Sequence, residues 1–374
     1  MKKVFFLLVV LILAAVFIVF FKQFAQPTKK LTEFVGKALP KNNSVEETKD
    51  REVVAQDLDI PWEVAFLPDG EMLITERPGK LLKIGEDRNV IEIQGVQHVG
   101  EGGLMGLALH PDFGKNQLLY LYFTTGGQGR LTNQLERYKL VGNSLSEKKV
   151  ILSGILGSSN HDGGRIAFGP DRNLYIGTGD AENPDLAQNT KSLNGKILRI
   201  KDDGSIPSDN PFGNAVYSYG HRNVQGLTWD KDGNLWATEH GRSGIQSGFD
   251  ELNLIEKGKN YGWPVIQGNE QRDGMVTPIV NSGASETWAP AGAGFLNGSV
   301  FFVGLRGATL YETKLNGKTV SELKKHLKDE YGRLRAVRVG PEGLLYITTS
   351  NRDGRGIPKE NDDKLIRINP KTLQ

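Results

Sequence analysis

The chain has 374 residues, of which 46 are basic and 44 acidic, so its net charge is close to zero. No basic run of the kind that binds a phosphate backbone is present, which argues against a nucleic-acid partner. There is no cysteine, which excludes disulfides, thiolate metal sites, iron–sulfur clusters and a cysteine nucleophile. Glycine accounts for 46 residues, about 12% against a usual 7% or so, and this favours an all-β protein with many tight turns.

The N-terminus predicts one transmembrane helix over residues 1–21. Residues 4–21 contain no polar side chain, and as a helix they would span roughly 27 Å, close to the ~30 Å hydrocarbon core. The run is longer than the apolar region of a typical secretory signal, which favours an uncleaved anchor over a removed signal. Lys2 and Lys3 favour a cytoplasmic N-terminus, so the rest of the chain is expected outside the cytoplasm, and it would be secreted if the segment were cleaved.

A polar, proline-containing tether is predicted over residues 22–50, where no sustained periodicity is present. As a flexible coil it would reach on the order of 30 Å. Residues 51–374 are predicted to form one folded domain.

From about residue 51, a turn followed by a short apolar strand recurs six times. Asp-Gly or Asn-Gly before alternating apolar residues is a hairpin signal, and a spacing of about 40–65 residues suits four-stranded blades. The repeat therefore predicts an all-β fold, a six-bladed β-propeller, with a β-sandwich or two β-domains as the alternative. The six segments are PDGEMLITE (68–76), NQLLYLYFTTG (116–126), PDRNLYIGTGD (170–180), KDGNLWATEHG (231–241), NGSVFFVGLRG (297–307) and PEGLLYITTSN (341–351).

In a propeller, the ends of the strands near the axis converge, so residues around these ends are predicted to share one pocket. They are His161, Asp180, Glu239 with His240, Arg306 and Asn351. They are distant in sequence and chemically assorted, unlike a uniform packing layer.

A short helix on a blade edge is predicted for the run TVSELKKHLKDEYG (319–332). Leu323 and Leu327 stand four residues apart, as they would on one helix face. His326 is expected at the surface.

Taken alone, each candidate segment also fits an ordinary structural role. His161-Asp162 fits a turn pair, residues 220–225 fit a loop anchor, and residues 239–242 fit a solvated turn. Residues 249–253 fit the start of a strand, and residues 333–335 fit an exposed strand face.

Four arginines occur in or beside the segments expected to face the pocket. They are Arg222, Arg306, Arg333 and Arg335. Four converging cations without matching carboxylates would repel one another, so the group predicts a polyanionic ligand held by guanidinium contacts. The carboxylate of Glu251 and the carbonyl of Gly241 are oxygen ligands of the type that Ca²⁺ prefers.

The chain resembles the soluble, pyrroloquinoline quinone (PQQ)-dependent sugar dehydrogenases, most of all their aldose sugar dehydrogenase branch. The similarity extends over about residues 55–370, and the fold of that family is also a six-bladed propeller. The matching segments are EGGLMGLALHPDF (101–113), NHDGGRIAFGPD (160–171), GTGD (177–180), LNGKILRI (193–200), GSIPSDNPF (204–212), GHRNVQGL (220–227), TEHG (238–241), DELNLIEKGKNYGWP (250–264) and RLRAV (333–337).

The resemblance implies oxidation of aldose sugars at C1 to lactones, with PQQ and Ca²⁺ as cofactors. His161 would take the proton from the C1 hydroxyl while a hydride moves from C1 to the quinone, and Asp180 would orient His161. The positions that match cofactor-binding residues are Arg222, Asn223, Gln225, Arg306, Arg333 and Arg335.

The resemblance also implies two calcium sites and two residues near the substrate. The main-chain carbonyls of Gly241 and Arg242 match ligands of the cofactor Ca²⁺, and Glu251 with the carbonyl of Tyr261 matches a second, structural site. The residues expected near the substrate are Glu101 and Asp162.

Two departures from the family pattern bear on the substrate. Glu101 stands where some members carry glutamine, and its charge is expected to retune His161. The segment 265–296 is short, with no clear counterpart of the long aromatic loops of the dimeric glucose-oxidising members, so the sugar and the oligomeric state stay open. An outward-facing enzyme would pass electrons to an external acceptor, a membrane quinone or a cytochrome.

Two other functions fit a propeller of this kind. A Ca²⁺-dependent lactonase or other hydrolase centres a metal on carboxylate and amide side chains and needs no arginine cluster. A non-catalytic propeller that binds carbohydrate or protein needs neither His161 nor the arginines. The arginines and the loop histidine therefore favour the dehydrogenase.

Overall fold

The computed structural model describes residues 50–127, 129–243 and 247–373, which form six four-stranded antiparallel sheets. The innermost strand of each sheet contacts the innermost strand of the next, and the sixth contacts the first. This closed ring is a six-bladed β-propeller, so the predicted fold is confirmed.

The strands follow the chain from blade to blade. Blade 1 contains β2 (Pro61–Phe66), β3 (Met72–Glu76), β4 (Lys80–Ile84) and β5 (Arg88–Glu92). Blade 2 contains β6 (Leu104–Leu109), β7 (Leu118–Gly127), β8 (Arg130–Val141) and β9 (Ser144–Leu156). Blade 3 contains β10 (Ile166–Phe168), β11 (Leu174–Gly177), β12 (Lys196–Ile200) and β13 (Val216–Tyr219).

The second half of the ring has the same order. Blade 4 contains β14 (Val224–Trp229), β15 (Leu235–Glu239), β16 (Glu251–Ile255) and β17 (Val280–Asn281). Blade 5 contains β18 (Pro290–Leu296), β19 (Ser299–Gly304), β20 (Thr309–Asn316) and β21 (Thr319–His326). Blade 6 contains β22 (Leu334–Val339), β23 (Leu345–Thr349), β24 (Leu365–Ile368) and β1 (Arg51–Ala55). Short helices lie at Phe113–Asn116, Asp185–Gln188 and Pro370–Thr372.

The ring is closed by strands from opposite ends of the described chain. β1 pairs antiparallel with β24, with Arg51 opposite Ile368 and Val53 opposite Ile366. Because this pairing completes blade 6, blades 1 and 6 can pack against each other as the other neighbouring blades do.

The six repeated segments of the sequence form equivalent strands. Each contains the second strand of its blade, which is β3, β7, β11, β15, β19 or β23. The turn at the start of each segment connects the innermost strand to the second strand, so the sequence repeat is the blade repeat.

The hydrophobic core consists of six clusters, and each cluster is centred on the interface between two neighbouring blades. At Gly106 in β6, the neighbouring blade comes too close for a side chain. A Cβ there would lie 2.2 Å from the carbonyl oxygen of Gly164, which precedes β10. This tight packing makes the propeller a rigid frame for the loops at the ends of its strands.

The prediction of a helix over residues 319–332 is wrong, because residues 319–326 form the strand β21. This strand pairs with β20 along the outer edge of blade 5. Pairing along eight residues of the neighbouring strand outweighs the helical spacing of Leu323 and Leu327. His326 is buried rather than at the surface, with its Nε2 3.0 Å from Oε2 of Glu312.

The predicted membrane anchor at 1–21 and nearly all of the predicted tether at 22–50 lie outside the described residues. Among the residues that are described, no helix is long and apolar enough to cross a bilayer.

Candidate active site

A cavity of about 430 Å³ lies where loops of blades 2 to 6 converge. A smaller pocket of about 330 Å³ adjoins it and shares His161, Arg222 and Arg242 with it. The polar residues that line the larger cavity are Glu101, Asn160, His161, Glu182, Arg222, His240, Arg242, Ser243, Ser247, Asp250, Thr287, Arg306, Arg333 and Arg355.

His161 and Asp180 form a hydrogen-bonded pair, in which His161 lines both pockets and Asp180 lines the smaller one. The Nδ1 of His161 lies 2.8 Å from Oδ1 of Asp180, and the Asp180 carboxylate is buried. In the described part of the chain, no group bonds the Nε2 of His161, and its side chain is 15% exposed. An imidazole held at one nitrogen and free at the other is suited to accept a proton from a ligand.

The backbone around His161 is held in an uncommon conformation. His161 has a φ of 62°, in the left-handed region. Its N–H donates to Oε2 of Glu101 at 3.0 Å, and the N–H of Gly163 donates to Oδ1 of Asn223 at 2.9 Å. A Cβ on Gly179 would lie 1.7 Å from the His161 carbonyl oxygen, so the loop packs directly on the strand that leads to Asp180.

Glu101 is ionised and paired rather than a lone negative charge. Its Oε1 bonds the guanidinium of Arg355, which also donates to Oδ1 of Asn160 at 2.7 Å. Burial by itself raises the pKa of Glu101, but His240, Arg355 and the N–H of His161 together lower it to about 2. Burial lowers the pKa of His240 to about 3, so His240 is neutral at pH 7. At that pH, the positive charge that pairs with Glu101 is the guanidinium of Arg355.

The four predicted arginines differ in their pairing. Arg333 donates to Oδ2 of Asp353 through Nε at 2.9 Å and Nη2 at 2.8 Å. The expectation of four cations without carboxylates is therefore wrong for Arg333. Within the described residues, Arg222, Arg306 and Arg335 form no salt bridge to a carboxylate.

Several buried donors near the cavity lack partners among the described residues. They are Nε and Nη1 of Arg222, Nε of Arg242, Nε of Arg335 and Nδ2 of Asn223. Burial lowers the pKa of Arg222, and it lowers the pKa of Arg335 to about 9. Desolvated cations with unused donors are the arrangement that an anionic ligand would satisfy.

Three of the predicted cofactor-binding residues are buried and line neither pocket. Asn223, Gln225 and Arg335 are buried, and Nη1 of Arg335 donates to Oε1 of Gln225 at 2.6 Å. The Arg335 guanidinium lies 5.9 Å from the ring centroid of Trp62. The other three predicted cofactor-binding residues, Arg222, Arg306 and Arg333, line the cavity itself.

Asp162 does not line either pocket, contrary to the expectation that it lies near the substrate. It is 1% exposed, and its Oδ1 accepts from Nδ2 of Asn133 at 2.9 Å and from the N–H of Ser158 at 3.1 Å. At the turn, His161 faces the cavity, and its neighbour Asp162 faces the interior and ties the loop to blade 2.

Two other residues predicted for the pocket are part of its framework instead. Glu239 is buried and bonds Nδ1 of His221 at 2.7 Å and the N–H of Arg222. Asn351 is buried and accepts from the N–H of Arg333 at 2.9 Å. Both therefore hold the loops that carry cavity arginines.

The predicted metal ligands are main-chain oxygens and one carboxylate. The N–H of Gly241 donates to Oδ1 of Asp250 at 2.9 Å, and the carbonyl of Arg242 accepts from Gly248 at 3.2 Å. A carbonyl has a second lone pair, so the Arg242 oxygen can still bind a cation. No cluster of three or more His, Asp or Glu side chains suited to a metal occurs within residues 50–127, 129–243 and 247–373.

Glu251 stands opposite Glu239 in the pairing of β15 with β16. Burial and the Glu239 carboxylate raise the pKa of Glu251 well above its ordinary value. The second calcium site at Glu251 stays a prediction, and a bound divalent ion there would favour the ionised form of this carboxyl group.

Two residues of the site were given no role by the sequence. Arg355 gave no local signal because its loop carries no recognisable motif. Trp263 belongs to the quoted NYGWP segment, and its indole N–H donates to Oδ2 of Asp180 at 2.9 Å.

The family model for glucose/sorbosone dehydrogenases matches residues 58–366. The chain therefore belongs to the glucose/sorbosone dehydrogenase family. This confirms its identification as a member of the sugar dehydrogenase class of oxidoreductases.

Individual relatives agree with this assignment. The aldose sugar dehydrogenase YliI of Escherichia coli is 32% identical over 368 residues, which cover 87% of this chain and 94% of that protein. Quinoprotein glucose dehydrogenase B of Acinetobacter calcoaceticus is 32% identical over 279 residues, which cover 64% of this chain and 58% of that protein. The PQQ-bound aldose sugar dehydrogenase of Streptomyces coelicolor is 39% identical, with a TM-score of 0.78 over 85% of this chain and 97% of that structure.

Proposed function

We propose that this chain oxidises aldose sugars at C1 to lactones, with PQQ and Ca²⁺ as cofactors. One observation carries the proposal: the Nε2 of His161 faces a cavity, and among the described residues neither this nitrogen nor buried donors of the cavity-lining Arg222 and Arg242 have a partner. When bound, PQQ with its Ca²⁺ supplies an acceptor for the hydride that leaves C1.

In this mechanism His161 is the general base. Its Nδ1 is held by Asp180, so the Nε2 lone pair is directed away from the carboxylate and is available for the proton of the C1 hydroxyl. The Asp180 carboxylate then stabilises the imidazolium that forms. Removing this proton raises the electron density on the C1 oxygen and so assists departure of the hydride.

The cavity arginines would bind the carboxylates of PQQ. Arg222 and Arg306 line the cavity with no carboxylate partner in the part of the chain that the structure describes, and Arg333 lines it with its guanidinium already oriented by Asp353. Asn223, Gln225 and Arg335 are buried and would hold the residues around the cofactor in place. Among the described residues, Nε and Nη1 of Arg222 have no partner, which supports this assignment because a carboxylate in the cavity would accept from them.

The calcium sites are proposed on the same residues that the sequence indicates. The carbonyls of Gly241 and Arg242 would bind the ion beside the cofactor, and Asp250 fixes the Gly241 backbone. Glu251 and the carbonyl of Tyr261 would bind a second, structural ion, which would relieve the repulsion between Glu251 and Glu239.

The hydrolase alternative is less well supported. A metal-centred hydrolase needs several carboxylate or imidazole side chains around one ion, and no such cluster is found in the described part of the chain. A binding module would require neither the free imidazole nor the unpaired guanidinium groups.

The sugar range and the electron acceptor are also part of the proposal. The cavity is open, so we expect several aldoses to be accepted. The predicted anchor would hold the enzyme outside the cytoplasm, within reach of a membrane quinone or a cytochrome.

A reconstitution experiment tests this function. Ca²⁺ and PQQ are added to the purified chain, followed by a panel of aldoses, and the cofactor absorption and the reduction of a dye are recorded. We expect sugar-dependent reduction, and we expect weaker PQQ binding in Arg222→Gln. The matched control is Arg172→Gln, because Arg172 is exposed and pairs with Asp112 outside the cavity. A folded protein that binds no PQQ would contradict the proposal.

A further inference from the structure

Trp263 contacts both halves of the candidate site. Its indole N–H donates to Oδ2 of Asp180, and its ring centroid lies 5.3 Å from the guanidinium carbon of Arg222 and 5.8 Å from that of Arg242. The side chain therefore connects the His161–Asp180 pair with the arginines of the cavity.

We infer that Trp263 is a positioning residue that fixes the Asp180 carboxylate and, through it, the tautomer of His161. The inference rests on the proposed function, in which His161 is the base. It concerns the protein's own hydrogen bonds, so it can be tested without the cofactor.

The hydrogen bonds of Asp180 carry the argument. Oδ1 accepts from the N–H of Glu182 at 2.9 Å, and Oδ2 accepts from the indole of Trp263. A carboxylate that accepts at both oxygens requires the third partner, Nδ1 of His161 at 2.8 Å, to be a donor. The proton then resides on Nδ1, and Nε2 is left with its lone pair.

The indole also prevents rotation of the carboxylate. Asp180 is buried, so an oxygen that lost the indole would lose its hydrogen bond in the present orientation, and the carboxylate would be expected to turn toward another donor. A turned carboxylate would no longer hold the imidazole in one orientation. The Nδ1–H tautomer would then lose its advantage over the Nε2–H tautomer, which cannot act as a base toward the cavity.

Trp263 is itself held in place by its backbone. Its N–H donates to the carbonyl of Gly220 at 2.9 Å, and its carbonyl accepts from Nε2 of Gln188 at 2.6 Å. Gly220 lies two residues before Arg222, so the same segment positions the indole and a cavity guanidinium.

Trp236 provides a matched control. Its indole donates to Oδ2 of Asp230 at 3.0 Å, the same type of bond to the same type of group. The other groups bonded to Asp230 belong to the turn that carries Asp232 and Asn234, and neither residue lines the cavity. A tryptophan-to-phenylalanine change there removes an equivalent hydrogen bond at a purely structural position.

The experiment measures the His161 tautomer by ¹⁵N NMR in the full chain without cofactor. We expect the Nδ1–H form to predominate in the unsubstituted protein and in Trp236→Phe, and a mixture of tautomers in Trp263→Phe. With PQQ and Ca²⁺ added, Trp263→Phe should lower kcat roughly tenfold while KM and PQQ binding stay unchanged, because its ring still supports Arg222.

Trp263→Gln separates the hydrogen bond from the ring. An amide keeps an N–H donor for Asp180 but removes the aromatic face, so we expect the Nδ1–H tautomer to persist and PQQ binding to weaken. This variant carries the test if Trp263→Phe fails to fold.

An unchanged tautomer in Trp263→Phe would overturn the inference, and so would loss of the tautomer in Trp263→Gln. If the unsubstituted protein reduces no PQQ with any aldose, the proposed function fails. The NMR result would still decide whether Trp263 positions the pair.

Discussion

Two histidine–carboxylate pairs lie in neighbouring blades and have almost the same geometry. Nδ1 of His161 is 2.8 Å from Asp180, and Nδ1 of His221 is 2.7 Å from Glu239. They differ at the other nitrogen: Nε2 of His161 faces the cavity, whereas Nε2 of His221 lies 2.8 Å from Oγ of Ser218. His221 is 0% exposed, and its ring stacks on Tyr261 with centroids 4.7 Å apart.

The comparison shows what makes a histidine–carboxylate pair a candidate catalytic group. Both carboxylates orient an imidazole, and only the pair with a free nitrogen at a cavity can exchange a proton with a ligand. The buried pair instead fixes the backbone of Arg222, because Glu239 also accepts from the Arg222 N–H. One pair is suited to chemistry and the other to holding an arginine of the site.

Substitution of the two histidines tests the comparison most directly. His161→Gln should lower kcat for aldose oxidation by roughly 10²- to 10⁴-fold, because it removes the general base. Steady-state kinetics with saturating PQQ and Ca²⁺ measure this loss. PQQ affinity and the free energy of unfolding should stay nearly unchanged, and a full rate in His161→Gln would mean that another group takes the proton.

His221→Gln should show the opposite pattern. It removes two buried hydrogen bonds and the contact with Tyr261 and leaves Glu239 without its imidazole, so we expect a loss of about 3 kcal/mol in the free energy of unfolding. Urea denaturation measures the loss. The folded fraction should retain a kcat within a fewfold of normal, and a loss of kcat as large as that of His161→Gln would erase the distinction between the pairs.

Substitution of Asp162 should have a smaller effect, on the free energy of unfolding, and this effect should depend on pH. Burial raises the pKa of Asp162 to about 7, above the roughly 3.9 of an unfolded aspartate, so the folded protein holds this proton more tightly. Its contribution to stability is full below about pH 4 and is lost as the pH rises toward 7. Asp162→Asn should therefore gain about 2–3 kcal/mol more stability at pH 8 than at pH 5.

Denaturation of both proteins at the two pH values checks this expectation. The amide introduced by Asp162→Asn would keep an oxygen acceptor for Asn133 and Ser158 and would carry no charge at either pH. A gain that does not depend on pH would show that the carboxyl is not the titrating group. Unchanged kcat in Asp162→Asn would place Asp162 with the structural residues of the loop.

The blade repeat could be predicted from the sequence because it depends on local signals. Each of the six segments combines a turn with alternating apolar residues, and each forms the second strand of a blade. The edge strand β21 could not be predicted in this way, because the spacing of Leu323 and Leu327 also fits a helix. Pairing with β20 decides its conformation, and that contact is not visible in residues 319–326 alone.

Part of the site could also be predicted. Of the residues named from the sequence, His161, Arg222 and Arg306 line the cavity, and Asp180 lines the smaller pocket that adjoins it. The carboxylate partner of Arg333 was not foreseen, because Asp353 is 20 residues away and reaches Arg333 through a loop. The sequence also did not predict on which side of a turn a side chain lies. His161 and Asp162 are adjacent, yet His161 faces the cavity and Asp162 faces the interior.

The sequence by itself determined the class of the fold, the number of blades and the main chemical groups of the site, since turns, strand alternation and residue type are local properties. Tertiary structure decided which of those groups face a common cavity and which are buried as supports. The reason is geometric: convergence at a propeller axis brings together loops from distant parts of the chain. The unpaired nitrogen of His161, the salt bridge of Arg355 with Glu101 and the bond from Trp263 to Asp180 exist only once those loops meet.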